Sequence, residues 1–566
     1  MVRARRERTL NAAATPRLMG EASEKLLEPY KTFRVAVSGD VTLTRLETEI
    51  VDTRDFQRLR YIKQLGSAYL VYPTALHTRF DHSLGTLHEA TRFIRNIREN
   101  PQSSPAQKEI WPEDEVLIRL GALLHDVTHV PFGHTLEDET RVLAKSHAED
   151  KERREAFLGR GSEIGKKLLE EIGEENYSKL MTILSTQHPE VPNLGEIAYI
   201  ADIVNNTLCA DLIDYLKRDS YFCYLTESFG ERFLRYLFLE TVRTEAHQAR
   251  RLVVRLWKQK GAEYYPRRDV LSELLNLLRV RYTLAERVYF HNTKLASGAM
   301  IARAIWCARR EVGGQKLEDK DLLSQGDEVI LSLAEEADPI SQRLVDAVRR
   351  RSLHKLIYSF PRGEADARRV VAKLESEFLD NLENRVHMED ELARLVGGVA
   401  GDVLICCPSA EMNKKYAAML VTWGTGIGDV KELKDIREEE DLATYRLMDS
   451  ILKLHDALWS FRVFASPRIR DEERLKEHLS KMCAALILAS PAERDTKLKE
   501  AMHKRVLDIA REEAPAIGTV DIRLVDTITE EAVSLRRGPS DQISDSWISE
   551  RIRRSARSGS LEEQAK

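Results

Sequence analysis

A mainly α-helical fold, with a helical core and a smaller mixed α/β C-terminal lobe, is predicted from three features of this 566-residue sequence. Apolar residues recur at helical spacing through almost all of 45–310. Two short apolar runs, DVLICCP at 402–408 and AAMLVTW at 417–423, read as buried strands in the second half. An alternating segment with β-branched residues, FRVAVSGDVTLT at 33–44, reads as a short hairpin.

Taken in order, residues 1–26 begin Arg-rich and poor in acids, and read as a flexible arm, with an organellar transit segment as the alternative. The core follows over 27–311. Within it Phe80, Leu84, Leu87, Thr91 and Ile94 mark one helix face, and Ile197, Ile200, Val204 and Leu208 another. Gln57, Arg60 and Gln64 fall at i, i+3 and i+7 of a preceding helix. A C-terminal lobe of strands and helices is expected over 312–535, opening with an exposed connection at 312–328. Its helices are expected at 340–358, 365–395, 440–462 and 470–512. The tail at 536–566 is rich in Ser, Arg and Glu and predicts disorder, except that Trp547, Ile548 and Ile552 can form a short helix that docks on a partner protein.

Composition narrows the classes. Hydrophobic residues make up 43% of the chain, enough for a large core. A net charge of −5 argues against a generally basic nucleic-acid binder. Six cysteines without CxxC spacing predict reduced thiols and a cytoplasmic setting rather than a disulfide frame. No apolar run approaches the ~20 residues that span a bilayer, so no membrane partner is expected.

The chemistry concentrates in HDVTHVPFGH at 125–134. A His125–Asp126 pair stands where the apolar run 116–124 ends, and His129 and His134 follow within one loop. His82 lies upstream in HTRFDHS, and Asp211 downstream in CADLIDYLKRD. Imidazole and carboxylate together suit a divalent transition metal, and the set points to a metal-dependent phosphohydrolase. Arg79 and His82 share one helical turn, and a guanidinium beside a ligand suits a phosphate that bridges the metal. Asp211, Tyr215 and Asp219 fall at i, i+4 and i+8 on one helix face. Each has a bland reading taken singly: a core histidine for His82, a solvated acidic face for the Asp211 helix, a surface histidine for His147.

The order of VDTRDFQRLRYIKQLG (51–66), HTRFDHSLG (77–85), HDVTHVPFGH, DLIDYLKRD (211–219) and RYTLAERVYFH (281–291) resembles the HD-domain deoxynucleoside triphosphate triphosphohydrolases. That family includes bacterial dGTPases and the animal enzyme that joins a SAM domain to an HD domain. The likeness is nearest to the catalytic part of the latter, over about 30–310, and leaves no room for a SAM domain in the N-terminal arm. The resemblance implies a helical HD phosphohydrolase core and a metal quartet of His82, His125, Asp126 and Asp211. It implies catalytic roles for His129, His134, Glu137 and His147, with Glu137 orienting a histidine and Ala148 standing where the family has Glu. It implies substrate contacts from Gln64 at the sugar, Leu65 beside it, Arg79, Tyr215, Asp219, Arg281, Tyr289 and His291. It places an activating nucleotide at Asp52, Gln57 and Arg60, and a second at Arg255, Arg351 and Lys355, between subunits of a homo-oligomer, with a tetramer favoured. The sequence departs from the family at Leu212, Asn292 and Trp257, which replace lysines, and at Ala285 and Glu286, which replace a histidine and an arginine.

The expected reaction is therefore hydrolysis of a dNTP to deoxynucleoside and inorganic triphosphate with a divalent metal, Fe, Mn, Zn, Ni or Mg, activated by nucleotide. Hydrolysis of a nucleoside monophosphate or cyclic nucleotide is one alternative. A non-catalytic nucleotide-sensing or nucleic-acid-binding assembly is the other. Pool balancing and antiviral depletion of dNTPs use the same chemistry.

Overall fold

The computed structural model describes residues 20–564 apart from 148, 187–189, 244–247, 261–262, 311–315, 363–366, 411, 413–417, 423–429, 438–440, 518–521 and 535–544. Most of the predicted N-terminal arm, the start of the 312–328 connection and the start of the C-terminal tail lie outside the described residues.

Three helices build the centre of the molecule: Arg79–Glu99, Pro112–Leu124 and Ala210–Phe222. Each begins for a local reason that also places a functional residue. Thr78 caps the first: its hydroxyl accepts from the Asp81 amide at 3.3 Å while Asp81 accepts from the Thr78 amide at 3.0 Å. That box puts Arg79 at the first helical position and His82 one turn in. The second starts with Pro112 and carries Glu113, Asp114 and Glu115 in its first turn, where acids complement the helix dipole. His125 closes it. Cys209 caps the third by accepting from the Leu212 amide, which sets Asp211 in its first turn.

Phe80, Leu84, Leu87 and Ile94 are all buried in the main core, as the predicted face requires. Of the second predicted face, Ile200 and Val204 lie in helix Ala198–Asn205, whereas Ile197 and Leu208 fall just outside it. The predicted 33–44 hairpin is formed by strands Pro29–Val35 and Gly39–Thr44.

The core region is less uniformly helical than its periodicity predicts. Strands Leu237–Arg243 and Gln248–Arg255 pair antiparallel, and a small hairpin, Trp257–Lys260 with Glu263–Pro266, follows. Strand Leu420–Thr422, from the second predicted β-run, joins Gln248–Arg255 in parallel, and Val430–Glu432 pairs on its outer side. One four-stranded sheet is thus assembled from both halves of the chain.

A second sheet orders Lys355–Pro361, Ser460–Ala465 and Val403–Cys406, all antiparallel. Two predicted helices are shortened by it. The 340–358 helix ends at Arg349, and the 440–462 helix, observed as Leu442–Ala457, gives way to a strand in which every residue is buried. Arg351, at φ 56°, takes the left-handed turn that breaks the first of these.

The tail also differs from the expectation of disorder. Asp545–Gln564 is a helix, and Ile548 and Ile552 are fully buried in the chain's own C-terminal core. Arg551 and Arg553 pair with Glu531 and Glu513 beneath it, each at 2.7 Å. The three apolar residues therefore have an intramolecular seat. All six cysteines are free and buried. Among the described residues no helix is long and apolar enough to cross a membrane.

Candidate active site

His82, His125 and Asp211 bring one donor atom each into a single cluster. His125 Nε2 lies 3.2 Å from His82 Nε2, and Asp211 Oδ1 lies 3.2 Å and 3.7 Å from the two rings. Asp126 completes the group at 3.7 Å from His82 and 3.5 Å from His125. All four predicted ligands meet.

The chemistry of this donor set fits a cation. His125 Nδ1 faces the Ala122 carbonyl at 2.9 Å, an atom that only accepts, so Nδ1 carries the proton. His82 Nδ1 faces Asp214 at 2.9 Å. Burial raises the Asp214 pKa, but the charge of Arg218 and hydrogen bonds from His82 and Arg218 bring it down to about 2. Asp214 is thus an ionised acceptor, and His82 too keeps its proton on Nδ1. Both Nε2 lone pairs then point into one gap that also holds carboxylate oxygens. Burial lowers the His82 pKa, yet hydrogen bonds to Asp211 and Asp214 raise it to about 10, so without a cation a proton is drawn to that gap. A divalent metal takes the same place with more charge.

Asp214 and Arg218 were not found by sequence reasoning. Both are buried, and Arg218 donates to Asp214 through Nε and Nη2, each at 2.8 Å. It also reaches Ala36 O and Ser38 Oγ in the first hairpin. A Cβ at Gly85 would collide with both side chains, so glycine there lets the pair lie against the Arg79–Glu99 helix. Arg58, likewise overlooked, donates to Val127 O at 2.9 Å and pins the turn after the ligand pair.

Asp126 is the junction to a second group of side chains. Arg79 donates to its Oδ2 at 2.5 Å, and His129 Nε2 lies 3.3 Å from its Oδ1. His129 and His147 rings lie 3.6 Å apart, with His134 at the edge of both. His147 Nδ1 meets Glu137 at 3.3 Å, and Arg153 holds the other Glu137 oxygen. Burial lowers the His129 pKa, and Arg79 and His147 lower it further, so this imidazole is neutral. Burial raises the Glu137 pKa, but the hydrogen bond with His147 and the charge of Arg153 hold it well below the usual carboxylate range. His134 keeps half its side chain exposed and bonds Asp138 at 2.7 Å. Crowding lowers its pKa and Asp138 raises it by more, so the net direction is up. Gly133 again is a matter of space, since a Cβ there would press on His129 Nδ1 at 2.6 Å. Ala148 lies outside the described residues.

Tyr215 and Asp219 follow Asp211 along one face, as spacing predicts. Asp219 accepts from Tyr289 OH at 2.7 Å and meets His77 Nε2 at 2.9 Å. His77, stacked on Phe222, is a further residue that the sequence did not single out. Burial, with Asp219 and Tyr215 beside it, pushes the Tyr289 phenol well above its usual value, so it stays a donor. We expect Tyr215→Phe to retain full metal content and to lose roughly threefold to tenfold in kcat/KM, the scale of one hydrogen bond. Asp219→Ala should likewise keep its metal and lose more, because it strips partners from Tyr289 and His77. Metal analysis beside steady-state kinetics checks both, and metal loss in both would show that this face is misassigned.

The remaining predicted residues are scattered over several elements. Gln64 follows a broken segment, not a helix: helix Arg54–Gln57 passes into a 3₁₀ turn, Arg58–Tyr61, and Lys63 then bridges to Thr78. The Gln64 side-chain oxygen is buried without a hydrogen-bond partner, and Leu65 is buried beside it. Arg281 is buried near the end of helix Arg268–Leu284, and His291 caps the next helix. Arg60 donates to Gln57 Oε1 at 2.7 Å and stacks on Phe80, while Asp52 is exposed. Arg351 donates to Leu70 O at 3.0 Å; burial lowers the His291 pKa and the charge of nearby Lys355 lowers it further. Arg255 is buried, donates to Gln102 O at 2.5 Å and stacks near Phe238 and Trp257. At the departures, Leu212 and Ala285 are buried, Glu286 accepts from Tyr282, and Asn292 accepts from Arg462.

A cleft of about 1050 Å³, lined by Arg92, Arg95, Arg232 and Arg235 among others, lies ten or more residues past His82. At 1.5 Å per residue that is roughly 15 Å or more along the helix, so it is separate from the histidine cluster.

This constellation defines a domain class: an HD domain is present, its family model matching residues 79–219. Among its relatives, protein MJ1154 of Methanocaldococcus jannaschii, described as uncharacterized, is 27% identical over 493 residues, 85% of this chain and 91% of that one. The deoxynucleoside triphosphate triphosphohydrolase SAMHD1 homolog of Dictyostelium discoideum is 27% identical over 338 residues, 58% of this chain and 60% of the relative's length. A hypothetical protein of Aquifex aeolicus shares the fold, with a TM-score of 0.52, 22% identity, and coverage of 79% of this chain and 99% of that one.

Proposed function

We propose that this HD phosphohydrolase converts deoxynucleoside triphosphates to deoxynucleoside and inorganic triphosphate. The observation that carries the reading is one carboxylate, Asp126, shared between a four-residue metal cluster, Arg79 and a histidine group. A relative described as a dNTP triphosphohydrolase supports the substrate class.

A divalent cation held by His82, His125, Asp126 and Asp211 would polarise a phosphate and lower the pKa of a water. The other residues do the rest. Arg79 and Arg281 offset phosphate charge. Neutral His129 positions water. Glu137, itself gripped by Arg153, orients His147 toward the nucleoside 5′-oxygen, the leaving group that needs a proton. His134, whose ring centroid lies 5.7 Å from that of His147, is a second acid in the same cluster of side chains. Gln64, Leu65, Tyr215, Asp219, Tyr289 and His291 surround sugar and base.

The deciding experiment incubates the purified protein with each dNTP and Mn²⁺ or Mg²⁺ and resolves the products. Triphosphate release is the expected result. A second reading, hydrolysis of a nucleoside monophosphate or cyclic nucleotide, is favoured by buried Leu212 and Ala285, where the phosphate tail would need polar or cationic groups. Intact dNTPs, with a nucleoside monophosphate cut to orthophosphate or a cyclic nucleotide opened to a monophosphate, would select it. Hydrolysis that survives metal removal would exclude both.

The same reading includes a homo-oligomer, with a tetramer favoured, activated by nucleotide at Asp52, Gln57 and Arg60 and at Arg255, Arg351 and Lys355. A nucleotide that binds the assembled form better than the free subunit shifts the equilibrium toward assembly. We expect one dNTP alone to be cut slowly, and a second nucleotide to raise the rate and the sedimentation coefficient together. Full rates with every single dNTP, at constant size, would remove activation from the proposal.

A further inference from the structure

Asp327 opens helix Asp327–Ala337, far outside the matched HD segment, and is fully buried. Its two oxygens hold two different loops. Oδ2 accepts from the Lys63 amide at 2.9 Å, and Oδ1 accepts from the Phe132 amide at 3.3 Å. The Lys63 ammonium lies 3.5 Å from the same carboxylate.

Each loop carries predicted site residues. Lys63 precedes Gln64 and Leu65, and this segment is laced to the start of the Arg79–Glu99 helix. The Arg79 amide donates to Ile62 O at 3.0 Å, and the Gln64 amide to His77 O at 3.0 Å. Phe132 lies between His129 and His134 and takes the left-handed conformation at φ 58°. A bulky residue in that region is strained unless its surroundings hold it there. Val130, Phe132 and Leu136 pack with Ile330 and Leu331 in one core, so the helix carrying Asp327 lies directly beneath the histidine loop.

Energetics point away from a purely structural role. Burial raises the Asp327 pKa to about 6, and Lys63 and the two amides only partly oppose it. A buried charge is a poor source of stability compared with an apolar side chain of the same size. What the carboxylate supplies is a fixed geometry between two backbones.

We propose that Asp327 is a positioning residue that sets the spacing between the Gln64–Leu65 loop and the His129–His134 loop, and through it the fit of the site to a nucleotide. The consequence for kinetics rests on the dNTP reading above; the structural part does not.

The test compares full-length Asp327→Asn and Asp327→Ala with the parent protein. Three quantities are read: Mn²⁺ content, amide hydrogen exchange by segment, and kcat and KM on a dNTP. Asp327→Asn should keep its Mn²⁺, because none of the four ligands touches Asp327. Exchange at 62–66 and 130–134 should rise together, while the Arg79–Glu99 and Ala210–Phe222 helices stay protected. Displacing groups around a bound substrate should lower kcat/KM by about tenfold to a hundredfold, with KM rising. Unchanged exchange in either loop overturns the proposal. So does a uniform rise across the core, or failure of both variants to fold, since each marks a structural role. If the parent protein cuts no dNTP, the dNTP reading fails, and the exchange pattern still decides the role of Asp327.

Discussion

His125→Ala and Asp126→Ala are each expected to lose the bound metal and nearly all hydrolysis with the fold retained, the second at a lowered melting temperature because it unpairs the buried Arg79 guanidinium. His125 contributes one of two Nε2 atoms that face each other at 3.2 Å, and its removal halves the imidazole donors. Asp126 does more: it lies near both rings, takes the Arg79 guanidinium and contacts His129. Lewis-acid stabilisation is worth several kcal/mol, so the expected fall is on the order of a thousandfold or more. Metal content by elemental analysis, with circular dichroism and a melting curve, separates this from unfolding. A double variant that still holds metal and works at the parent rate would refute the assignment.

Asp214 should show the second large effect, although it touches no metal. It orients His82 and neutralises a fully buried Arg218. Loss of an outer partner of a metal-binding histidine typically costs about 10–100-fold in metal affinity. Leaving a buried guanidinium unpaired costs roughly 3–5 kcal/mol of stability. Asp214→Ala should therefore show both losses. Asp214→Asn keeps the shape and an oxygen toward Arg218, and should recover part of the stability more readily than the metal affinity. Titration with Mn²⁺ and urea unfolding measure the two separately. An Asp214→Ala variant with parental metal affinity and stability would mean that the His82 ring is fixed by something else.

The ligand cluster was legible in the sequence because helical spacing and residue chemistry coincide there. Arg79 with His82, and Asp211 with Tyr215 and Asp219, fall on the faces that the period predicts. Asp214 and Arg218 were present in the same motif at i+3 and i+7 from Asp211, and their own i, i+4 pairing was a usable sign. His77 carried no such sign, since it reaches Asp219 from an extended segment before the helix. The regular helix expected through Gln57, Arg60 and Gln64 fails because Ile62 turns extended and Lys63 bridges to Thr78. Strands in the 237–266 region were missed although RLVVR is β-rich, because a continuous apolar run fits a buried helix equally well. Ser460–Ala465 was missed for the same reason, being buried on both faces.

The four-stranded sheet has a consequence for how the chain is made. Strand Gln248–Arg255 receives its parallel neighbour only from Leu420–Thr422. Between the end of one and the end of the other lie 167 residues (422 − 255). At roughly 5–20 residues per second of synthesis, that edge waits about ten to thirty seconds for its partner. During that interval a row of unpaired amides and carbonyls is open to any other nascent strand. A chain cut near residue 311 would keep that open edge permanently. The N-terminal segment that holds the whole metal cluster is thus expected to be aggregation-prone when expressed alone, and to depend on the later residues for solubility as well as for Asp327.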